Sequence, residues 1–347
     1  MTVRGIQMNT KRYGLAALIL AAAASQAMAA DLPVKAPPPP PPEAPFFFVN
    51  NNSISYHYEF DATNPGAGRT GKDVLTFTHF DVWAYGTNFF NVDWLKATNA
   101  KTPPLGTPAA PCDTFAPGTP ERCAGYTEIY GLFRSTFGWN QIFNTKAFSM
   151  GPLTNIEFAV GADLNTDNTT LGSAKRSIQG GVQFDFAAPY KGFLNVGVYA
   201  YHEWQNDGFA STFPVAPPIG NPSGKVDFNT TWAVEALYVQ PLGFIPMLPL
   251  TFKSFAVIHG PKGCGEPCNT AVPATSGPGL VRTTEYLTQQ TLSLDVGQLA
   301  WNKPGQLSTW VAYRYWVNKF GIDPNQPNGP FGFTTESTFL TGVTLQF

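Results

Sequence analysis

From Ser53 to the last residue, the dominant period of this 347-residue sequence is two. In "SISYHYEF", Ile54, Tyr56, Tyr58 and Phe60 alternate with Ser55, His57 and Glu59. In "RSIQGGVQFDF", Ile178, Gly180, Val182, Phe184 and Phe186 alternate with Ser177, Gln179, Gly181, Gln183 and Asp185. "GFLNVGVYAYHEW" sets Leu194, Val196, Val198 and Ala200 against Asn195, Gly197, Tyr199, Tyr201 and Glu203. Successive side chains of a strand point to opposite faces, so these segments are strands with one apolar and one half-polar face. Past residue 53 no stretch carries a convincing helical period.

About twelve such segments occur: 53–60, 73–83, 88–97, 125–139, 155–163, 176–186, 192–204, 228–240, 250–259, 284–296, 305–318 and 334–347. Most are near the ~9–11 residues that cross a bilayer at a tilt. Long connections (98–124, 205–227, 260–283, 319–333) follow odd-numbered segments. Most connections after even-numbered ones are short, with 140–154 the exception. An even strand number with short turns at one end and long loops at the other is the pattern of bacterial outer-membrane barrels. The expected fold class is therefore all-β: a closed transmembrane antiparallel barrel of about twelve strands. A large β-sandwich also alternates, but its loops would not sort by length in this way.

The N-terminal region fits export. Lys11 and Arg12 precede the apolar run "GLAALILAAAA", which ends before the small-residue motif "AMA". Too short to span a bilayer, this reads as a secretory signal peptide over residues 1–29, with translation starting at Met1 or Met8. Residues 30–50 carry six consecutive prolines, a polyproline II spacer expected in the periplasm. Residues 51–347 form the expected barrel. It closes when the last strand pairs with the first, and closure removes sheet edges. The chain ends on a bare aromatic, Phe347, which resembles the signal that outer-membrane barrels present to their insertion machinery.

Cys112 and Cys123 lie in one Pro/Gly-rich stretch and Cys264 and Cys268 in another. In an exported chain the natural reading is two local disulfides in outer loops, with a metal site the rival reading. Charged residues make up 13% with a net charge of −2, which gives no footprint for nucleic acid. Neither a phosphate-binding loop nor a dinucleotide fingerprint is present: "GPKGCGEP" lacks the required spacing. No cofactor is expected.

With the apolar set toward lipid, the other set faces the lumen. That set holds His57, Glu59, Thr76, Thr78, Phe80, Asn91, Asp93, Glu128, Tyr130 and Arg134. Gln183, Asp185, Tyr199, Tyr201, Glu203, Glu235, Arg314 and Trp316 join them. His79 and His202 fall on the outward face, and Asp81 shares the phase of His79. A lining that mixes aromatics with carboxylates, amides and arginine suits a solute that stacks and also forms hydrogen bonds through hydroxyls, as a nucleoside does. The same residues can equally fill the interior and pair with one another.

Several stretches resemble the Tsx family of nucleoside-specific outer-membrane channels. These are "DVLTFTHF" followed by "NFFNVDWLK", then "VYAYHEWQND", then "AYRYWVNKFG". The resemblance runs from about residue 50 to the C-terminus, with the Pro-rich leader and cysteine-bearing loops as departures. It implies a narrow, monomeric barrel that passes nucleosides by diffusion. Its matching strands make Phe80, Asp93, Glu128, Arg134, Tyr199, Tyr201, Glu203 and Arg314 the candidate solute contacts. Competing readings are a porin for other solutes, an outer-membrane lipolytic enzyme using His202 as base, and a sealed barrel serving as an adhesin or anchor.

Overall fold

Half-apolar strands must hide one face and leave none of their backbone groups unpaired, and a closed ring satisfies both demands. The computed structural model describes residues 45–64, 68–100, 127–168, 174–206, 224–245, 247–265, 281–325 and 334–347. All but Pro45 belong to the compact unit Phe46–Phe347. The signal peptide and residues 30–44 of the Pro-rich leader lie outside the described residues, as do Cys112, Cys123 and Cys268. Cys264 is described and is not free.

The strands are β1 (Phe47–Asn64), β2 (Gly68–Trp83), β3 (Gly86–Ala100), β4 (Thr127–Gly138), β5 (Leu153–Asp167) and β6 (Arg176–Ala188). They continue with β7 (Gly192–Asn206), β8 (Lys225–Asp227), β9 (Thr231–Pro241), β10 (Leu250–His259), β11 (Glu285–Asp295), β12 (Leu307–Val317) and β13 (Glu336–Gln346). Twelve of them form a closed antiparallel barrel in sequence order, with β7 paired directly to β9. The seam is β1 on β13, in register from Ser53↔Gln346 to Glu59↔Leu340. Beyond it the Phe347 N–H donates to the Asn52 carbonyl at 2.9 Å.

The thirteenth strand corrects the sequence reading. The strand expected over 228–240 runs as β9 from Thr231, but the stretch 205–227, expected as a loop, ends in the short β8 opposite Trp204–Asn206. The cause is Phe228. Its N–H donates to the Glu203 carbonyl at 3.0 Å and its ring is buried, so the chain bends inward before β9 can begin.

Alternation decides which face meets what, and here it is inside-out for a water-soluble protein. Phe339 is 66% exposed, Val311 56% and Leu164 54%, whereas Glu203, Glu336 and Lys262 are wholly buried. Along β13 the pattern is strict: Ser337, Phe339, Thr341, Val343 and Leu345 point outward, and Glu336, Thr338 and Leu340 inward. Charged groups are almost never fully buried unless paired, so the interior must be a network of partners. Among the described residues no helix is long and apolar enough to cross a membrane.

The two ends differ. Short connections gather at one, here the turn end, where β2 and β3 are joined by Ala84 and Tyr85 alone. Helices α1 (Trp139–Ile142) and α2 (Val296–Trp301) also lie there. Aromatic rings cluster at this end: Phe46 on Trp83 at 6.1 Å, Trp83 on Phe137 at 6.0 Å, and Trp139 on Phe148 and Phe158 at 5.1 and 5.0 Å. Such girdles flank the apolar band of membrane barrels. His79 and Asp81 keep the outward phase and build a polar row there. His79 lies 2.9 Å from Asn52 Oδ1 and 3.0 Å from Asp81, Asn88 donates to Asp81 at 2.9 Å, and Ser135 donates to Asn88 at 2.7 Å.

At the loop end, segments from several connections knit into a cap. Lys262 N–H donates to the Arg282 carbonyl, Asn229 N–H to the Lys262 carbonyl, and Arg282 bridges both Gly263 and Ile322.

Candidate functional site

The inward positions of the strands line one lumen, and all eight candidate solute contacts point into it. Burial divides the lumen in two. Toward the turn end the inward residues Thr78, Phe80, Phe89, Asn91, Gln183, Asp185 and Asn195 are partly exposed, and Lys253 is exposed. Toward the loop end Glu59, Lys72, Glu128, Lys175, Tyr201, Glu203, Glu285 and Glu336 are buried. The lumen is thus a more open vestibule toward the turn end and a buried, charged belt beneath the cap.

The belt is built from pairs. Lys72 donates to Glu128 at 3.1 Å, and Asn165 fills the other carboxylate oxygen at 2.7 Å. Arg314 joins Glu59 at 2.5 Å and its Nε donates to Gln289 at 2.9 Å. Lys319 donates to Glu336 at 2.7 Å. Glu203 is the most heavily engaged: Tyr201 Oη donates at 2.5 Å, Lys262 at 2.8 Å, Gln205 also donates, and Lys175 stands 3.8 Å away. Glu285 accepts from Trp316 Nε1 at 2.8 Å and faces His259 at 3.3 Å. Desolvating these charges is costly, and partners this close offset that cost.

Below the belt a crossbar spans the lumen. Arg134 on β4 holds Glu235 on β9 through two bonds, Nε at 2.9 Å and Nη2 at 2.5 Å. Its Nη1 donates to Asp163 on β5 at 2.6 Å. The fork geometry of guanidinium suits this bidentate grip, which lysine could not reproduce. Gly161 makes room for it. A Cβ at that position would lie 2.7 Å from Arg134 Cδ and 2.9 Å from its Nη1. Gly161→Val is therefore expected to push the guanidinium off Asp163 and to cost ~1–3 kcal/mol of barrel stability by overpacking. The temperature at which the folded band is lost in unboiled gels measures this.

The structure thus separates the eight candidates. Glu128, Arg134, Glu203 and Arg314 are engaged in ion pairs, and Tyr201 is engaged with Glu203 while stacked on His259 at 4.1 Å. Asp93 accepts from Thr76 at 2.7 Å and Asn91 at 3.0 Å within the vestibule. Phe80 faces Phe89 across β2 and β3. Tyr199 is buried over Gly197. Sequence reasoning missed Lys72, Asp163, Lys175, Lys262, Lys319, Glu285 and Glu336. Lys72 and Glu336 carry the period-two signal that would have found them. Lys262 sits in a loop, where periodicity says nothing.

His202 faces outward, as expected, with Asp227 3.0 Å from Nε2 and the Thr230 hydroxyl 3.1 Å from Nδ1. The hydroxyl beside this imidazole is the secondary alcohol of threonine, and both Asp227 and Thr230 are exposed.

No protein-family model matches the chain, and no curated protein matches it. Solved structures do. One is an outer-membrane channel from Pseudomonas putida F1, at 8% identity and TM-score 0.46, covering 88% of this chain and 99% of that one. Another is a KdgM porin in complex with disordered oligogalacturonate, at 7% identity and TM-score 0.38, covering 85% and 99%. A third is the β-domain of the Bordetella autotransporter BrkA, at 7% identity and TM-score 0.36, covering 85% and 98%. Likenesses this distant carry no functional argument.

Proposed function

We propose that this chain is a bacterial outer-membrane channel for passive diffusion of small polar solutes, nucleosides among them. The observation that carries this reading is the inversion of polarity: apolar side chains cover the outer wall while carboxylates, amides, lysines and arginines line the inside. A barrel that passes water and polar solute presents such an interior. Nucleosides are favoured by the vestibule, where Phe80 and Phe89 offer faces for a base and Asp93, Asn91 and Gln183 offer hydrogen bonds to a sugar. Transport follows the solute gradient and needs no cofactor. The active unit is a monomer, and Phe347 presents the chain to the barrel-insertion machinery. Local disulfides, Cys112 with Cys123 and Cys264 with Cys268, staple the outer loops.

Nucleosides at submillimolar concentration are expected to reduce the ion current through single barrels in a planar bilayer, while sugars of similar size leave it unchanged. Equal effects of both would reassign the chain to a general porin. Lipid hydrolysis by the purified protein that is abolished in His202→Ala would instead favour the lipolytic reading.

A further inference from the structure

Five of the lumen's cations are paired with carboxylates, whereas the buried side chains of Gln179 and His57 make no hydrogen bond. Arg134, Arg314, Lys72, Lys262 and Lys319 each hold a carboxylate at 3.1 Å or less. Gln179, by contrast, is only 6% exposed, yet both its Oε1 and Nε2 lack a hydrogen-bond partner. Leaving a buried amide unsatisfied is costly, and native folds do so rarely. The neighbours explain how this arises. Gln179 points inward from β6, with Gly161 opposite on β5 and Tyr201 opposite on β7. Gly161 has no side chain to offer and is covered by Arg134, and the Tyr201 hydroxyl is spent on Glu203.

A second unsatisfied group stands across the lumen. His57 on β1 is 7% exposed and both its ring nitrogens lack a hydrogen bond, the Glu59 carboxylate being 3.8 Å away. Around the barrel, β1 and β6 are separated by four strands one way and six the other, so these groups occupy nearly opposing walls.

We propose that Gln179 is a solute-recognition residue that favours neutral solutes presenting a donor and an acceptor side by side, as a primary amide or a ring lactam does. This rests on the channel reading above and names the chemistry it selects. A side-chain amide offers C=O and N–H₂ in one plane, so it forms two bonds at once with such an edge. An ion gains no comparable return from Gln179: a neutral amide offers it one dipole end and no countercharge, so its lost hydration goes unrepaid there. His57, with Trp310 tilted against it at 5.2 Å, is the second unsatisfied side chain, four strands from Gln179 one way and six the other.

The test uses the full-length barrel in a planar bilayer, reading ion current. The probes are malonamide, glycerol as a neutral solute lacking the amide edge, and malonate as a charged one. Malonamide should lower the wild-type current at concentrations where glycerol and malonate do not. Its half-blocking concentration should rise about tenfold in Gln179→Leu, the equivalent of ~1.4 kcal/mol. Gln179→Glu, which retains the acceptors and loses the donor, should lose the block as well and gain cation preference. Unaltered block in both variants, or equal block by all three probes, overturns the assignment and leaves the channel reading standing. Absence of any ion current from correctly folded wild-type barrels overturns both.

Discussion

Arg134→Ala is expected to raise the single-channel conductance and, in the same protein, to weaken the barrel by ~3–5 kcal/mol, the usual cost of stranding buried charges. Both effects follow from one geometry. The guanidinium crosses the lumen between Asp163 and Glu235, so removing it clears the cross-section and leaves two carboxylates without their cation. A triple variant separates the effects. Arg134→Ala with Asp163→Asn and Glu235→Gln removes the stranded charge, so stability should largely return while conductance stays high. Should conductance fall or hold steady in the single variant, the crossbar is not the constriction. Urea unfolding of the barrel in vesicles gives the stability, and step size in a planar bilayer gives the conductance.

Lys262→Met should have the second large effect, at the opposite end. Lys262 is wholly buried between Glu203 at 2.8 Å and Glu285 at 3.7 Å, with its ammonium 5.7 Å from the Phe228 ring centre. Methionine keeps the length and removes the charge, leaving the belt carboxylates short of a cation. The expected loss is again ~3–5 kcal/mol, concentrated in the cap rather than spread over the strands. The cap is held to the barrel by the Lys262 ammonium on Glu203 and Glu285 and by the Phe228 N–H on the Glu203 carbonyl, so its release should appear as faster proteolysis within 224–229 and 260–265, with the strands still protected. Uniform loss of protection would show that cap and barrel unfold as one unit.

Most of the architecture was legible because a strand writes its two faces into every second residue. Ile178 to Phe186 and Phe339 to Phe347 could be assigned outward from sequence alone, and the structure places them so. The exception, β8, is three residues long and too short to show a period. Pairing inside the lumen was not legible. Arg134 and Glu235 are 101 residues apart, and nothing local in either segment shows that closure brings them together. For the same reason the unsatisfied state of Gln179 could not be foreseen. It depends on Tyr201 choosing Glu203 and on Arg134 covering Gly161. His79 and Asp81, polar residues at outward positions near the end of β2, could have marked a place where the strand breaks phase. It does not: the row they form with Asn52, Asn88 and Ser135 is polar because it sits at the rim of the apolar wall.

The central claim is that this ring of strands spans a bilayer with its charged face around an aqueous path. The most direct measurement is the ion current after the purified, exported form is added to a planar bilayer from detergent. The account predicts discrete, long-lived steps of uniform size. Folded protein that stays dispersed without detergent and leaves the bilayer electrically silent would contradict it.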